Sequence, residues 1–409
     1  MGSSYTLMTF LTSILLGMCM GSGAAFSIWY GQKDRKRLKE GMVHAFGLIA
    51  AVTVVLNIIV FAGLPLILRL LQVPAQVMPY MEDYLKIIFV GISATFLYNY
   101  FAALLRAIGN SVVPLVFLGV SAVLNIVLDF LFVFTFQRGV GGAAEATVIS
   151  QFVSGVGIAV YTQKYFPELR VSLKEICFRG KMLNEIAGFS FLTCMQQSIM
   201  NFGILMVQGL VNSFGPVVMA AFAAAVKIDS FAYMPVQDFG NAFSTFIAQN
   251  YGAKKFERIQ KGIKSAAMTS VLFCAVISSA VFLFAEPLMK IFVSGTEKEI
   301  ISVGVEYLRI EGSFYFGIGI LFLLYGLYRA VKLPGMSVVL TILSLGTRVA
   351  LAYGLSAIPI IGVKGIWAAV PIGWILADAV GVIYYIKNKG KIENCLLYTS
   401  PSPRDRSLS

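Results

Sequence analysis

The 409-residue chain is 58% hydrophobic, has a mean hydropathy of +0.82, and carries charge on only 13% of its residues. Soluble domains devote about a quarter of their residues to charge, so this composition excludes a water-facing globule. The formal net charge of +12 suggests nucleic acid, but Lys and Arg gather in alternate loops and not on one face, which sets that partner aside.

Apolar runs at 48–71, 112–136 and 266–284 each reach the length of about 20 residues that crosses a bilayer core. They are too long and too unalternating for barrel strands, which leaves helices. In chain order, eleven spans are expected at 5–29, 42–71, 84–105, 112–136, 141–163, 183–213, 217–250, 263–292, 303–328, 335–358 and 363–387. The five cysteines are scattered and His44 is the only histidine, so neither a zinc site nor a disulfide framework is expected. The first apolar stretch, 7–29, has no basic segment before it and does not read as a cleavable signal. Basic residues concentrate after the first span (Lys33, Arg35, Lys36, Arg37, Lys39), between the fifth and sixth, and after the seventh (Lys254, Lys255, Arg258, Lys261, Lys264). The positive-inside rule places these loops, and the C-terminus, in the cytoplasm.

The two halves repeat. Tyr30-Gly31-Gln32-Lys33 recurs as Tyr251-Gly252-Ala253-Lys254 at an offset of 221, and Gly41 recurs as Gly262. Tyr84-Leu85-Lys86-Ile87 recurs as Tyr307-Leu308-Arg309-Ile310 at an offset of 223, as do Arg106-Ala107 in Arg329-Ala330 and Gly139-Val140 in Gly362-Val363. The span at 183–213 precedes the part of the second half that matches the start of the chain, so its counterpart is expected upstream of residue 1. The expected architecture is all-α and polytopic, with two pseudo-symmetric lobes of six helices each in the complete protein and about eleven helices here. Residues 1–163 form the N-terminal lobe without its first helix, 164–182 a basic cytoplasmic linker, and 183–390 the C-terminal lobe. Residues 391–409 form a tail. From Cys395 onward it has no helical pattern and reads as translated sequencing-adapter DNA.

Ionisable groups inside spans are costly and point to sites. On the span 217–250, Lys227, Asp238, Asn241, Thr245 and Gln249 share one helical stripe, with Asp229, Tyr233 and Gln237 on the next. The first-half equivalents are small or apolar, so the polarity belongs to one lobe. Two readings compete: Lys227 with Asp229 or Asp238 as a charge pair that switches on protonation or Na⁺ binding, or a permanent ion pair that positions the helix. Arg348 stands where the first half has Asn125 and needs a carboxylate, with Asp238 and Glu311 as candidates. Asp129, one turn after Asn125, could bind a cation with it. Gln196, Gln197 and Asn201 offer neutral amides for a ligand or for helix association.

The motifs Gly139-Val140-Gly141-Gly142-Ala143-Ala144-Glu145-Ala146-Thr147, Gln249-Asn250-Tyr251-Gly252-Ala253, Val211-Asn212-Ser213-Phe214-Gly215 and Arg106-Ala107-Ile108-Gly109-Asn110 together resemble the multidrug and toxic compound extrusion (MATE) family, over about residues 5–390. The resemblance implies two six-helix lobes around a central cavity and antiport of organic cations against Na⁺ or H⁺. It also implies a bacterial plasma (inner) membrane location. In the family the seventh helix lines the cavity, which favours ligand binding for Gln196, Gln197 and Asn201. The chain departs from the family's acidic pattern: Met195-Gln196-Gln197-Ser198 and Gly317-Ile318-Gly319 stand where some members carry acids. No cofactor or enzymatic constellation is expected, and the chain is expected to act as a monomer in the bilayer. A flippase for lipid-linked precursors is the alternative within transport.

Overall fold

In the computed structural model, residues 2–70, 78–171 and 179–394 are described, and these are helical throughout apart from short turns. The helices are α1 (Gly2–Gly31), α2 (Arg35–Leu70), α3 (Met78–Val90), α4 (Ile92–Ala107), α5 (Val112–Asp129), α6 (Gly139–Tyr165), α7 (Gly180–Asn212), α8 (Pro216–Gly252), α9 (Phe256–Phe292), α10 (Lys298–Gly312), α11 (Tyr315–Ala330), α12 (Pro334–Ser356) and α13 (Val363–Asn394). Pro216 and Pro334 open α8 and α12, where a missing N–H costs nothing. Inside α9, Phe284 leaves helical geometry three residues ahead of Pro287, whose ring clashes with the preceding turn. A π-helical stretch, Phe130–Thr135, extends α5 directly after Asp129.

Nine spans among the described residues are long and apolar enough to cross a membrane, and the pair α10 and α11, bent by 51°, makes a tenth. The α3–α4 pair runs as one span through Gly91. The expected span at 183–213 corresponds to α7, a helix of 33 residues. Its length suffices, but Gln196, Gln197, Asn201 and Gln208 dilute its apolarity, so hydropathy alone does not mark it as a span.

Packing divides the chain into two compact units, Met1–Asn201 and Phe202–Ser409. The division falls inside α7 and not at the expected linker 164–182, because the first half of α7 is fastened to α1. Ser22 and Ser190 share a hydrogen bond of 2.8 Å. A Cβ on Gly17 would lie 2.5 Å from the Cys194 Cα, and one on Gly21 2.3 Å from the Phe189 carbonyl oxygen, so only glycine lets these backbones meet. Part of the expected linker, 172–178, and the tail from Cys395 lie outside the described residues.

The internal repeat extends to backbone conformation. Lys33 (φ 60°) and Lys254 (φ 56°) are left-handed at equivalent positions, as are Gly139 (φ 58°) and Gly362 (φ 52°), and Gly109 (φ 93°) and Lys332 (φ 63°). Each lysine holds a conformation that disfavours a side chain by about 1 kcal/mol or more. The equivalent glycines Gly41 and Gly262 both lie under an aromatic ring: a Cβ would reach 2.0 Å from Trp29 in one and 2.4 Å from Phe246 in the other. Trp29 is 1% exposed and cannot swing away. Gly41→Ala is therefore expected to destabilise the protein by about 1–3 kcal/mol, read as a lower thermal-unfolding midpoint in micelles. An unchanged midpoint would show that the Trp29 pocket yields.

Candidate functional site

A cluster of buried charged and polar groups in the C-terminal unit draws on four helices. Asp229 comes from α8, Glu311 from the last turn of α10, Tyr315 from the first turn of α11, and Arg348 from α12. Asp229 and Glu311 both interact electrostatically with Arg348 and with each other. Tyr315 faces Asp229, and Tyr307, one turn before Glu311, faces Glu311. Glu311 is only 2% exposed. Asp229 Oδ1, Glu311 Oε2, Tyr315 Oη and Arg348 Nε are buried without a well-directed hydrogen bond. Four such atoms in one cluster is a costly arrangement that ordinary helix packing does not require.

The chain builds this cluster where α10 ends and α11 begins, with the bend between them. Behind Tyr307 stands an aromatic wall: Trp367 stacks on Phe222 with centroids 5.5 Å apart and meets Tyr307 edge-on at 4.9 Å. Tyr233, on the α8 face that carries Asp229, packs edge-on against Phe322 at 5.0 Å. Gly240 and Gly326 bring α8 and α11 into backbone contact, where a Cβ on Gly326 would sit 2.6 Å from the Gly240 carbonyl oxygen.

The sequence-derived candidates distribute differently from the expected stripe. The Lys227–Asp pair does not form: Lys227 is exposed, with its Nζ 5.8 Å from the Phe292 ring centroid, and no ion pair joins it to Asp229 or Asp238 among the described residues. Helical geometry explains this: Asp229, two residues on, points nearly the opposite way, and Asp238, three turns on, lies about 16 Å along the axis. Asp238 is exposed, outside the cluster. Asn241 is engaged by Arg329, whose Nη2 donates to its Oδ1 at 3.0 Å and whose Nε donates to Ser244 Oγ at 3.3 Å. Arg329, expected in a loop, is 5% exposed inside the unit. Arg348 meets Asp229 and Glu311, not Asp238. Asp378, on α13, is 9% exposed with Oδ1 unpaired, next to Gly317 on α11.

In the N-terminal unit, Asn125 donates to Thr147 Oγ1 at 3.4 Å. Asp129, with a buried unpaired Oδ1, interacts with Tyr84. Tyr84 and Asn125 are the repeat equivalents of Tyr307 and Arg348, so both halves place polar groups at matching positions, and only the second adds Asp229 and Glu311. Gln196 and Gln197 are 3% and 6% exposed, with Gln197 Nε2 4.0 Å from Met20 Sδ, and Asn201 is half-buried. The sequence reading undervalued Glu311, Tyr315 and Tyr307. At the repeat offset Glu311 and Tyr315 replace Ile88 and Ile92, which was the available signal.

The family model described as MatE matches residues 1–131 and 190–354. "Probable multidrug resistance protein YpnP" of Bacillus subtilis (strain 168) is 29% identical over 391 residues, covering 93% of this chain and 85% of its own. "Probable multidrug resistance protein NorM" of Thermotoga maritima is 25% identical over 383 residues, covering 92% and 82%. The crystal structure of a MATE protein in a bent conformation superposes with a TM-score of 0.91 at 20% identity, over 97% of this chain and 88% of that one.

Proposed function

The chain belongs to the MatE family of membrane transporters, and from that premise we propose that it is a multidrug efflux antiporter that exports organic cations in exchange for protons. The observation that carries the reading is the charge balance of the buried cluster. Asp229 and Glu311 ionised leave one negative charge beyond what Arg348 supplies. An uncompensated buried charge is expensive, so one added cation stabilises the cluster and its departure strains it. A proton suits this position better than Na⁺, because it bonds one carboxylate oxygen directly. A hard metal ion wants several oxygens around it, and Arg348 would stand close by. Taking up the cation on one side of the membrane and losing it on the other gives the cluster two charge states, and each biases a different conformation of the helices that hold it.

In the C-terminal unit Asp238, exposed on α8, supplies a negative charge that an organic cation can approach. Lys227 lies on the same helix as Asp238 and would repel such a cation when exposed beside it. The polar pair Asn125 and Asp129 in the N-terminal unit offers a further place for a coupling cation. A cytoplasmic C-terminus accords with the basic loops, and a bacterial inner membrane with the bacterial relatives.

The test uses the full-length protein in liposomes, with ethidium movement followed under an imposed pH gradient and, separately, an imposed Na⁺ gradient. Movement driven by the pH gradient alone is the expected outcome. Movement driven by Na⁺ alone would replace the proton by Na⁺. No movement under either gradient, with folded protein, would overturn the antiporter reading in favour of the lipid-precursor flippase.

A further inference from the structure

A second feature lies away from the charge cluster. At the corner where α1 ends and α2 begins, a cavity of about 1100 Å³ is walled by Tyr30, Arg35, Lys36, Lys39, Glu40 and Arg179, with the turn Pro167–Leu169 completing it. Its wall is firmly built. Asp34 Oδ1 accepts the Arg37 N–H at 2.9 Å and caps α2. Arg37 turns away from the cavity to pair with Glu185 and to lie 5.5 Å from the Trp29 ring centroid. His44, 5% exposed, accepts the Arg179 N–H on Nε2 at 2.9 Å, and its Nδ1 meets the Glu40 carbonyl oxygen at 2.7 Å. One imidazole therefore ties the start of α7 to α2 beside the cavity.

Four basic side chains in this wall, Arg35, Lys36, Lys39 and Arg179, outnumber its two acidic ones, Glu40 and Glu168. Glu40 holds Arg179 across 3.5 Å. Arg35 and Lys36 are exposed and meet neither a carboxylate nor an aromatic ring among the described residues. Membrane orientation explains a basic loop but not these positions. The equivalent loop after α8 keeps its own lysines and arginine, yet it has Phe256, Glu257 and Gln260 where this one has Arg35, Lys36 and Lys39. Orientation depends on the number of basic residues, whereas a site depends on their placement.

We propose that this cavity binds a phosphate group, with Arg35 and Lys36 as its principal ligands and Arg179 as the third cation. The group belongs either to the headgroup of an anionic phospholipid or to a free phosphate, and both fit the volume and the charge. Binding would join the α1–α2 corner to the start of α7 through Arg179.

The experiment follows thermal unfolding of the purified protein in neutral micelles during titration with phosphatidylglycerol, phosphatidylcholine or inorganic phosphate. The expected result is a saturable rise in midpoint with phosphatidylglycerol and none with phosphatidylcholine. In the Arg35→Gln/Lys36→Gln variant the apparent affinity should fall about thirty-fold, given about a fivefold contribution from each near-surface cation. A Lys261→Gln/Lys264→Gln variant, which removes equal charge from the other loop, should bind as the parent does. A response to phosphatidylglycerol alone assigns the lipid headgroup, and an equal response to inorganic phosphate assigns the free anion. No saturable response to either, or equal losses in the two double variants, overturns the proposal.

Discussion

Glu311→Gln is expected to reduce pH-gradient-driven ethidium efflux by at least about tenfold, the scale of a typical coupling free energy of ~1.4 kcal/mol. Glutamine keeps the shape and hydrogen-bonding reach of Glu311 but cannot exchange a proton, and it leaves Asp229 balanced by Arg348. The parent's efflux should fall as the pH on the proton-entry side rises, because the cation that the cluster needs becomes scarce. The variant's residual transport should be flat across the same range. Asp238→Asn, which changes an exposed carboxylate outside the cluster, should keep the parental pH response. A Glu311→Gln protein with the parent's pH profile would remove Glu311 from the coupling role.

The second large effect concerns stability. Arg348→Met takes the only guanidinium out of a cluster with two buried carboxylates, and removing one partner from a buried charge group typically costs ~3–5 kcal/mol. The same change made together with Glu311→Gln removes the like-charge conflict, so the double variant should be more stable than the sum of the single changes predicts, by about 1 kcal/mol or more. Thermal unfolding of the four proteins in micelles reads both numbers. Strict additivity would mean that Arg348 is not coupled to Glu311.

Membership of an all-helical, many-span class was legible because hydrocarbon permits so few backbone solutions, and the repeat was legible because both halves keep the same turns. The paired left-handed residues, such as Lys33 with Lys254, give that repeat a conformational basis. The buried cluster was only half legible. Helical periodicity aligns residues along one helix, so it grouped Lys227 with Asp238 and Asn241. It carries no information about which helix lies opposite, and therefore left Asp229 apart from Glu311, Tyr315 and Arg348, which come from three other helices. Arg329 misled for a related reason: its repeat partner Arg106 is exposed at a helix end, while Arg329 turns inward because Asn241 and Ser244 are there to receive it. The division of the chain inside α7 was likewise hidden, since it depends on Gly17 and Gly21 admitting a neighbouring backbone.

The 51° bend between α10 and α11 also has a mechanical meaning. It lies between Glu311 and Tyr315, so the joint and the charges occupy one place. α11, with 16 residues, is a rigid arm about 24 Å long. A rotation of about 10° at the joint carries the far end of that arm through about 4 Å. Arg329 sits at that far end, held to Asn241 by a bond of 3.0 Å. On the proposed coupling role of Glu311, a proton gained or lost would act at the fulcrum of that arm, where a small rotation moves the tip farther than the bond that secures it.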